Sequence, residues 1–190
     1  HGASKGKGVK LRKEIAIAIK ECMMHENLFG VLVSHGSSTV PGYIVEEINA
    51  LGGNIQNAHG ISIEELKAAI PCGIGKINVD TDIRLAVTRN MKEYFAQHPE
   101  KRNSPSIGGV YQLLEEKREQ FDPRAFLPPI MDTVMYGMVP DKDRAELVEV
   151  IEKGVKEAIG TLIVEFGSYG KAPLVEQVSL EEMAERYKRM

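Results

Sequence analysis

The chain has no tryptophan, only two cysteines and just 6% aromatic residues. Cys22 and Cys72 sit in unrelated contexts without metal-ligand spacing. That pattern favours two packing thiols in a reducing, cytoplasmic setting over a disulfide framework or a paired-cysteine zinc site. No apolar run reaches the ~18 residues needed to cross a bilayer, so no membrane partner is expected. No segment reads as a signal peptide, and no HExxH motif, internal repeat or low-complexity tract is present. Neither charge sign dominates: 24 Lys and Arg stand against 27 Asp and Glu, for a net charge of −3. Bulk attraction to nucleic acid is therefore not expected, and the basic stretch Lys5 to Lys13 reads as a solvated loop running into a helix. What remains is an ordinary globular composition, 43% apolar and 27% charged over 190 residues, enough for one domain with a core.

Hydrophobic periodicity predicts a helix over Val9 to Met24, with Leu11, Ile15, Ala18, Ile19 and Cys22 on one face. Leu28 to Ser34 and Gly73 to Val79 are short, apolar and β-branched, and read as buried strands. Between them lie a helix from Pro41 to Ala50 and a short one from Ser62 to Ala69, where Ser62 and Glu65 form a capping box. Asp80 or Thr81 is expected to cap a helix running to Phe95. Gln97 to Gly109, rich in Pro, Lys, Asn and Ser, reads as a mobile loop or insertion. Helices follow over Val110 to Gln120, Pro123 to Met138 and Asp141 to Glu165, then Ser179 to Lys188 with its own Ser179–Glu182 box. The division is therefore 1–96, βα units; 97–109, loop or insertion; and 110–190, a helical extension. Alternating strands and helices give an α/β fold with a parallel sheet.

Polar motifs fall where these strands end, the place where α/β proteins put ligand chemistry. His35-Gly36-Ser37-Ser38 follows the first strand, and Asn78-Val79-Asp80-Thr81 follows the second. Glycine allows close backbone approach, and hydroxyls with N–H groups suit phosphate oxygens. Asn78 and Asp80 share one strand face. Asn78 has no capping role, which leaves a ligand as its better explanation. His1-Gly2 repeats the His-Gly pair of His35-Gly36, and two imidazoles at neighbouring strand ends can share a divalent metal that needs at least one further ligand. His25, His59 and His98 read as surface residues.

His1-Gly2-Ala3 before a Lys/Gly stretch, Val31-Leu32-Val33-Ser34-His35-Gly36-Ser37-Ser38, and Lys76-Ile77-Asn78-Val79-Asp80-Thr81-Asp82-Ile83-Arg84 together resemble class II fructose-bisphosphate aldolase. Phe121-Asp122-Pro123-Arg124 and Phe166-Gly167-Ser168-Tyr169-Gly170-Lys171-Ala172 extend the resemblance, most closely to the Calvin-cycle subtype. The resemblance implies a (β/α)8 TIM barrel, here from the end of the sixth strand through the eighth, with extra C-terminal helices. It implies a divalent metal, zinc first, held by His1 and His35, with a monovalent cation as a further cofactor. Gly2, Gly36, Ser37 and Ser38, with Asn78, Val79, Asp80 and Thr81, match contacts to the dihydroxyacetone-phosphate half of a phosphorylated sugar. Asn78 also matches a contact to the enediolate. Arg124 matches an arginine that reaches the other phosphate in a neighbouring subunit, implying at least a dimer. The Asp80-Thr81-Asp82 triplet favours fructose 1,6-bisphosphate over its tagatose epimer. The resemblance further implies that the metal acts as a Lewis acid on the substrate ketone. The family's third histidine ligand, catalytic Asp and metal-binding Glu have no match here. The expectation is that part of the protein lies upstream of His1, and that these residues alone neither fold stably nor catalyse. The competing expectation is a non-catalytic phosphate-binding piece needing a complementing chain.

Overall fold

A computed structural model describes residues 10–189. The expected His1 and Gly2 sites lie outside the described residues. The order is helix α1 (Lys13–His25), strand β1 (Leu32–Ser34), helices α2 (Gly42–Ala50) and α3 (Ile63–Ala69), strand β2 (Ile74–Ile77), and helix α4 (Thr81–Gln97). Helices α5 (Gly108–Glu116), α6 (Met131–Tyr136), α7 (Lys142–Glu165) and α8 (Leu180–Lys188) follow. β1 and β2 pair in parallel, Val33 opposite Lys76 and Ser34 opposite Ile77, with an irregularity between Leu32 and Val33. A parallel pair needs a long crossover, and α2 with α3 supplies it.

Both strands are shorter and less buried than their apolar sequences predict. Val31 is 63% exposed and Val33 43%. Each strand has a single neighbour among the described residues, which leaves its other edge unpaired, and Val31 and Val33, two residues apart, share one exposed face. The stripe expected to be buried on α1 meets the same fate: Ile15 and Ile19 are exposed and the helix has no buried residue. Cys22 is likewise exposed rather than a packing group, and both thiols are free.

The core lies on the other side of the crossover. α4 and α7 run along one another, and Val87, Met91, Phe95, Val110, Leu114, Phe126 and Leu147 are buried in one cluster. A second cluster joins Val40, Ile44 and Ile48 to Leu85 and Ala86. Gly154 sets the helix spacing: a Cβ there would lie 2.9 Å from the Val87 backbone, closer than packed atoms tolerate.

The segment expected to be a mobile loop is bonded into this core. Residues Pro99–Asn103 form a 3-10 turn, Lys101 Nζ donates to Asp143 (2.6 Å), and Ile107 is fully buried. The single helix expected from Pro123 to Met138 is instead two 3-10 turns and the short α6. Pro128 and Pro129 lack the N–H groups a continuous helix needs. Three caps follow the sequence: Ser62, Asp141 and Ser179 accept from the amides of Glu65, Arg144 and Glu182. Glu65 does not close its box, because it accepts from Leu11 N (2.8 Å) and Lys13 Nζ (2.5 Å), tying α1 to α3. Among the described residues, no helix is long and apolar enough to cross a membrane.

Candidate active site

The pairing of β1 with β2 carries both polar motifs to one edge. Asn78 N donates to Ser34 O (2.9 Å), and Ser37 N donates to Asn78 O (3.3 Å). Beyond these bonds opens a cleft of about 730 Å³. Seven expected residues line it: His35, Gly36, Ser38, Asn78, Val79, Asp80 and Thr81. Lys76, Ile77, Arg84 and Phe121 complete its wall.

The hydroxyls do not face this cleft in the expected way. Ser37 is fully buried, its Oγ 2.6 Å from that of Ser34. Ser38 Oγ accepts from the amides of Asp80 (3.2 Å) and Thr81 (3.0 Å). It therefore caps α4 from across the cleft. The sequence predicts a cap from Asp80 or Thr81. Instead, the Asp80 carboxylate turns to Arg84 one helical turn on (2.8 Å), and Asp80 makes no side-chain cap bond.

A reciprocal bond set holds the turn after β1. The buried Asp82 carboxylate accepts from Thr39 N (3.0 Å), Thr39 Oγ1 (2.9 Å) and Val40 N (2.7 Å). Val40 is left-handed, with φ 52°, a conformation that costs a β-branched residue roughly 1–2 kcal/mol. Gly36 is also left-handed, with φ 62°, which glycine adopts without that cost. The loop on one strand and the helix after the other thus hold each other in place.

Charge on the cleft wall is organised by Arg84. It pairs with Asp80 and with Asp122, which in turn holds Arg124 Nε at 3.0 Å. The hydrogen bond from Arg124 chiefly, with the charge of Arg84 adding, keeps the Asp122 carboxyl below its ordinary range. Arg124 itself is 73% exposed and reaches the cleft only through Asp122 and Arg84. Sequence reasoning gives no site role to Arg84 or Lys76, and reads Asp82 only within the Asp80-Thr81-Asp82 triplet. The one available signal was spacing: Arg84 lies four residues after Asp80, the helical distance for an ion pair.

His35 is exposed at the cleft, with Nδ1 3.1 Å from Asn78 Nδ2. Lys76 Nζ donates to Asn78 Oδ1 (2.7 Å). His25 is exposed beside Glu26, and His98 packs on Tyr94 with ring centres 4.9 Å apart. His59 is exposed in a loop. An imidazole suits zinc, but a site needs three or more protein ligands. Among the described residues no group of three His, Cys, Asp or Glu side chains is placed to hold a metal ion. His35 therefore fits as one ligand and no more.

Comparison with known sequences bears on the same strand ends. Residues 1–171 match the family described as Fructose-bisphosphate aldolase class-II. The chain belongs to the class II fructose-bisphosphate aldolases. It is 34% identical over 189 residues to a fructose-bisphosphate aldolase of Giardia intestinalis, covering 99% of this chain and 45% of that protein. It is 33% identical over 156 residues to one of Xanthobacter flavus, covering 82% and 33%. For one of Thermus caldophilus the figures are 37% over 134 residues, 70% and 36%. The chain thus spans less than half the length of these aldolases. The mostly helical fold with two parallel strands is consistent with part of the TIM barrel of a class II aldolase. Class II aldolases are metal-dependent, and His35 presents an imidazole in this cleft.

Proposed function

We propose that this chain supplies the phosphate-binding, metal-facing part of a class II aldolase site that reversibly cleaves fructose 1,6-bisphosphate to dihydroxyacetone phosphate and glyceraldehyde 3-phosphate. The observation that carries the reading is the convergence of seven expected residues, from two segments 43 residues apart, on one cleft. The turn from Gly36 to Ser38 and the start of α4 receive the phosphate of the dihydroxyacetone half, because the partial positive charge at a helix N-terminus favours anions. Ser37 and Ser38 act through the backbone they hold rather than through their hydroxyls. Asn78, at the cleft wall, contacts the reacting half. Holding the substrate at both ends keeps the reacting carbons aligned, which is worth several kcal/mol of barrier in general.

His35 serves as one ligand of a divalent metal, zinc in this reading, with His1 as a second. When bound, the metal supplies Lewis-acid polarisation of the substrate ketone. The proton-transfer carboxylate and the remaining ligands are not among the described residues. Arg124 serves the second phosphate of a neighbouring subunit, which makes the active species at least a dimer. The Asp80-Thr81-Asp82 triplet favours the fructose epimer, and the tail from Phe166 to Ala172 favours the Calvin-cycle subtype. The protein works in the cytoplasm.

Because no metal cluster forms among the described residues, a second reading is a phosphate-binding piece that works only with a complementing chain. Cleavage of fructose 1,6-bisphosphate and of its C4 epimer, each with and without a chelator, separates these. Chelator-sensitive cleavage of the fructose form supports the first reading, and binding of sugar phosphate without turnover supports the second.

A further inference from the structure

Three side chains form a line along the cleft wall: Lys76, Asn78 and His35. Strand alternation puts Lys76 and Asn78 on one face, and the parallel register sets His35 beside them. A lysine ammonium has donors and no acceptor. The Asn78 atom facing it at 2.7 Å is therefore the carbonyl oxygen. Turning the amide over would set an NH2 group against an NH3⁺ group. With Oδ1 so fixed, Nδ2 faces His35 Nδ1 at 3.1 Å. An amide nitrogen only donates, so Nδ1 is the acceptor, and in the neutral ring the proton resides on Nε2.

We propose that Lys76 is a positioning residue for the His35 imidazole, acting through Asn78 to fix the ring's tautomer and to keep Nδ1 as its lone-pair nitrogen. Lys76 is exposed and has no packing role to explain its bond to Asn78. The proposal rests on the reading of His35 and Asn78 as site residues. The bond that one ring nitrogen accepts decides which of the two carries the proton.

The test is the protonation pattern of the His35 ring nitrogens, read by long-range ¹⁵N–¹H correlation in the full protein without metal, at about pH 8 to 9, above the ordinary imidazole range. The native protein is expected to show an unprotonated Nδ1 and a protonated Nε2. Lys76→Glu replaces a donor by an acceptor, so Asn78 must turn its NH2 to residue 76 and its oxygen to His35. The pattern should then invert, with the proton on Nδ1. Lys76→Arg keeps a donor and should keep the native pattern. The backbone amide spectrum of α7 reports whether each variant is folded. A native ring protonated on Nδ1, or a folded Lys76→Glu variant with the native pattern, overturns the proposal. The aldolase reading fails separately: inversion with no cleavage of fructose 1,6-bisphosphate in the native protein removes that function and leaves the positioning role standing.

Discussion

Asp82→Ala should loosen the turn after β1 more than any other single truncation at the cleft. The native carboxylate accepts three bonds from Thr39 and Val40. Bonds to a charged acceptor contribute about 1.5–3 kcal/mol each, and orphaned buried donors cost about 1–3. The contributions do not sum fully, since the three share one anchor. Relaxation of the left-handed Val40 returns roughly 1 kcal/mol of strain. A net local loss of about 2–3 kcal/mol corresponds to roughly 30- to 150-fold faster opening. Amide hydrogen exchange at Thr39 and Val40 reads this directly, with α7 amides as the control. Asp82→Asn keeps one acceptor and should fall between native and Ala. Unchanged exchange at Thr39 and Val40 in folded Asp82→Ala would refute the clamp.

Ser38→Ala removes the cap that α4 receives from across the cleft and should cost about 1 kcal/mol, seen as a lower denaturant midpoint; no loss would mean the two amides find another acceptor. Gly154→Ala puts a methyl against the Val87 backbone and should cost about 1–3 kcal/mol by overpacking, measurable by thermal melting, whereas Gly160→Ala, with open space around it, should be neutral or better. Tyr94 ionises at about 12, pushed up by burial and by its bond to Glu146. Its folded value lies above the unfolded ~10. The stability it adds is therefore complete below about pH 10 and disappears as pH climbs to about 12, a decline that Tyr94→Phe should lack in alkaline unfolding curves.

Local rules were readable from sequence wherever the partner is a few residues away. Ser62, Asp141 and Ser179 cap as their spacing predicts. Long α4 and α7 form close to the expected bounds, Asp80 or Thr81 to Phe95 and Asp141 to Glu165. The misreadings share a cause, in that the deciding partner lies far along the chain. Composition alone made 97–109 a loop, whereas Lys101 and Ile107 bind it to α7 and the core. Asp80 looked like a cap until Arg84 and Ser38 divided that work. The α1 stripe and the strands were read as buried because their sequences are apolar. Their covering surface is not supplied by the described residues, so no pattern within them could reveal the exposure. At the site, motif position found seven cleft residues. It gave Lys76 no role and did not foresee the hold of Asp82 on Thr39 and Val40, because a lysine on a strand and a second Asp in a helix turn show no such bond until their partners are seen.

The mutual hold of Ser38 and Asp82 also bears on the order of folding. Its bonds join residues 42 or 43 positions apart, and closing a loop of that length costs about 3 kcal/mol plus a constant before any contact repays it. Helices α2 and α3 can form locally, but the cleft takes shape only when both its walls meet. Substitutions at Ser38 and Asp82 should therefore speed unfolding while leaving the folding rate nearly unchanged, placing the birth of the site on the native side of the barrier.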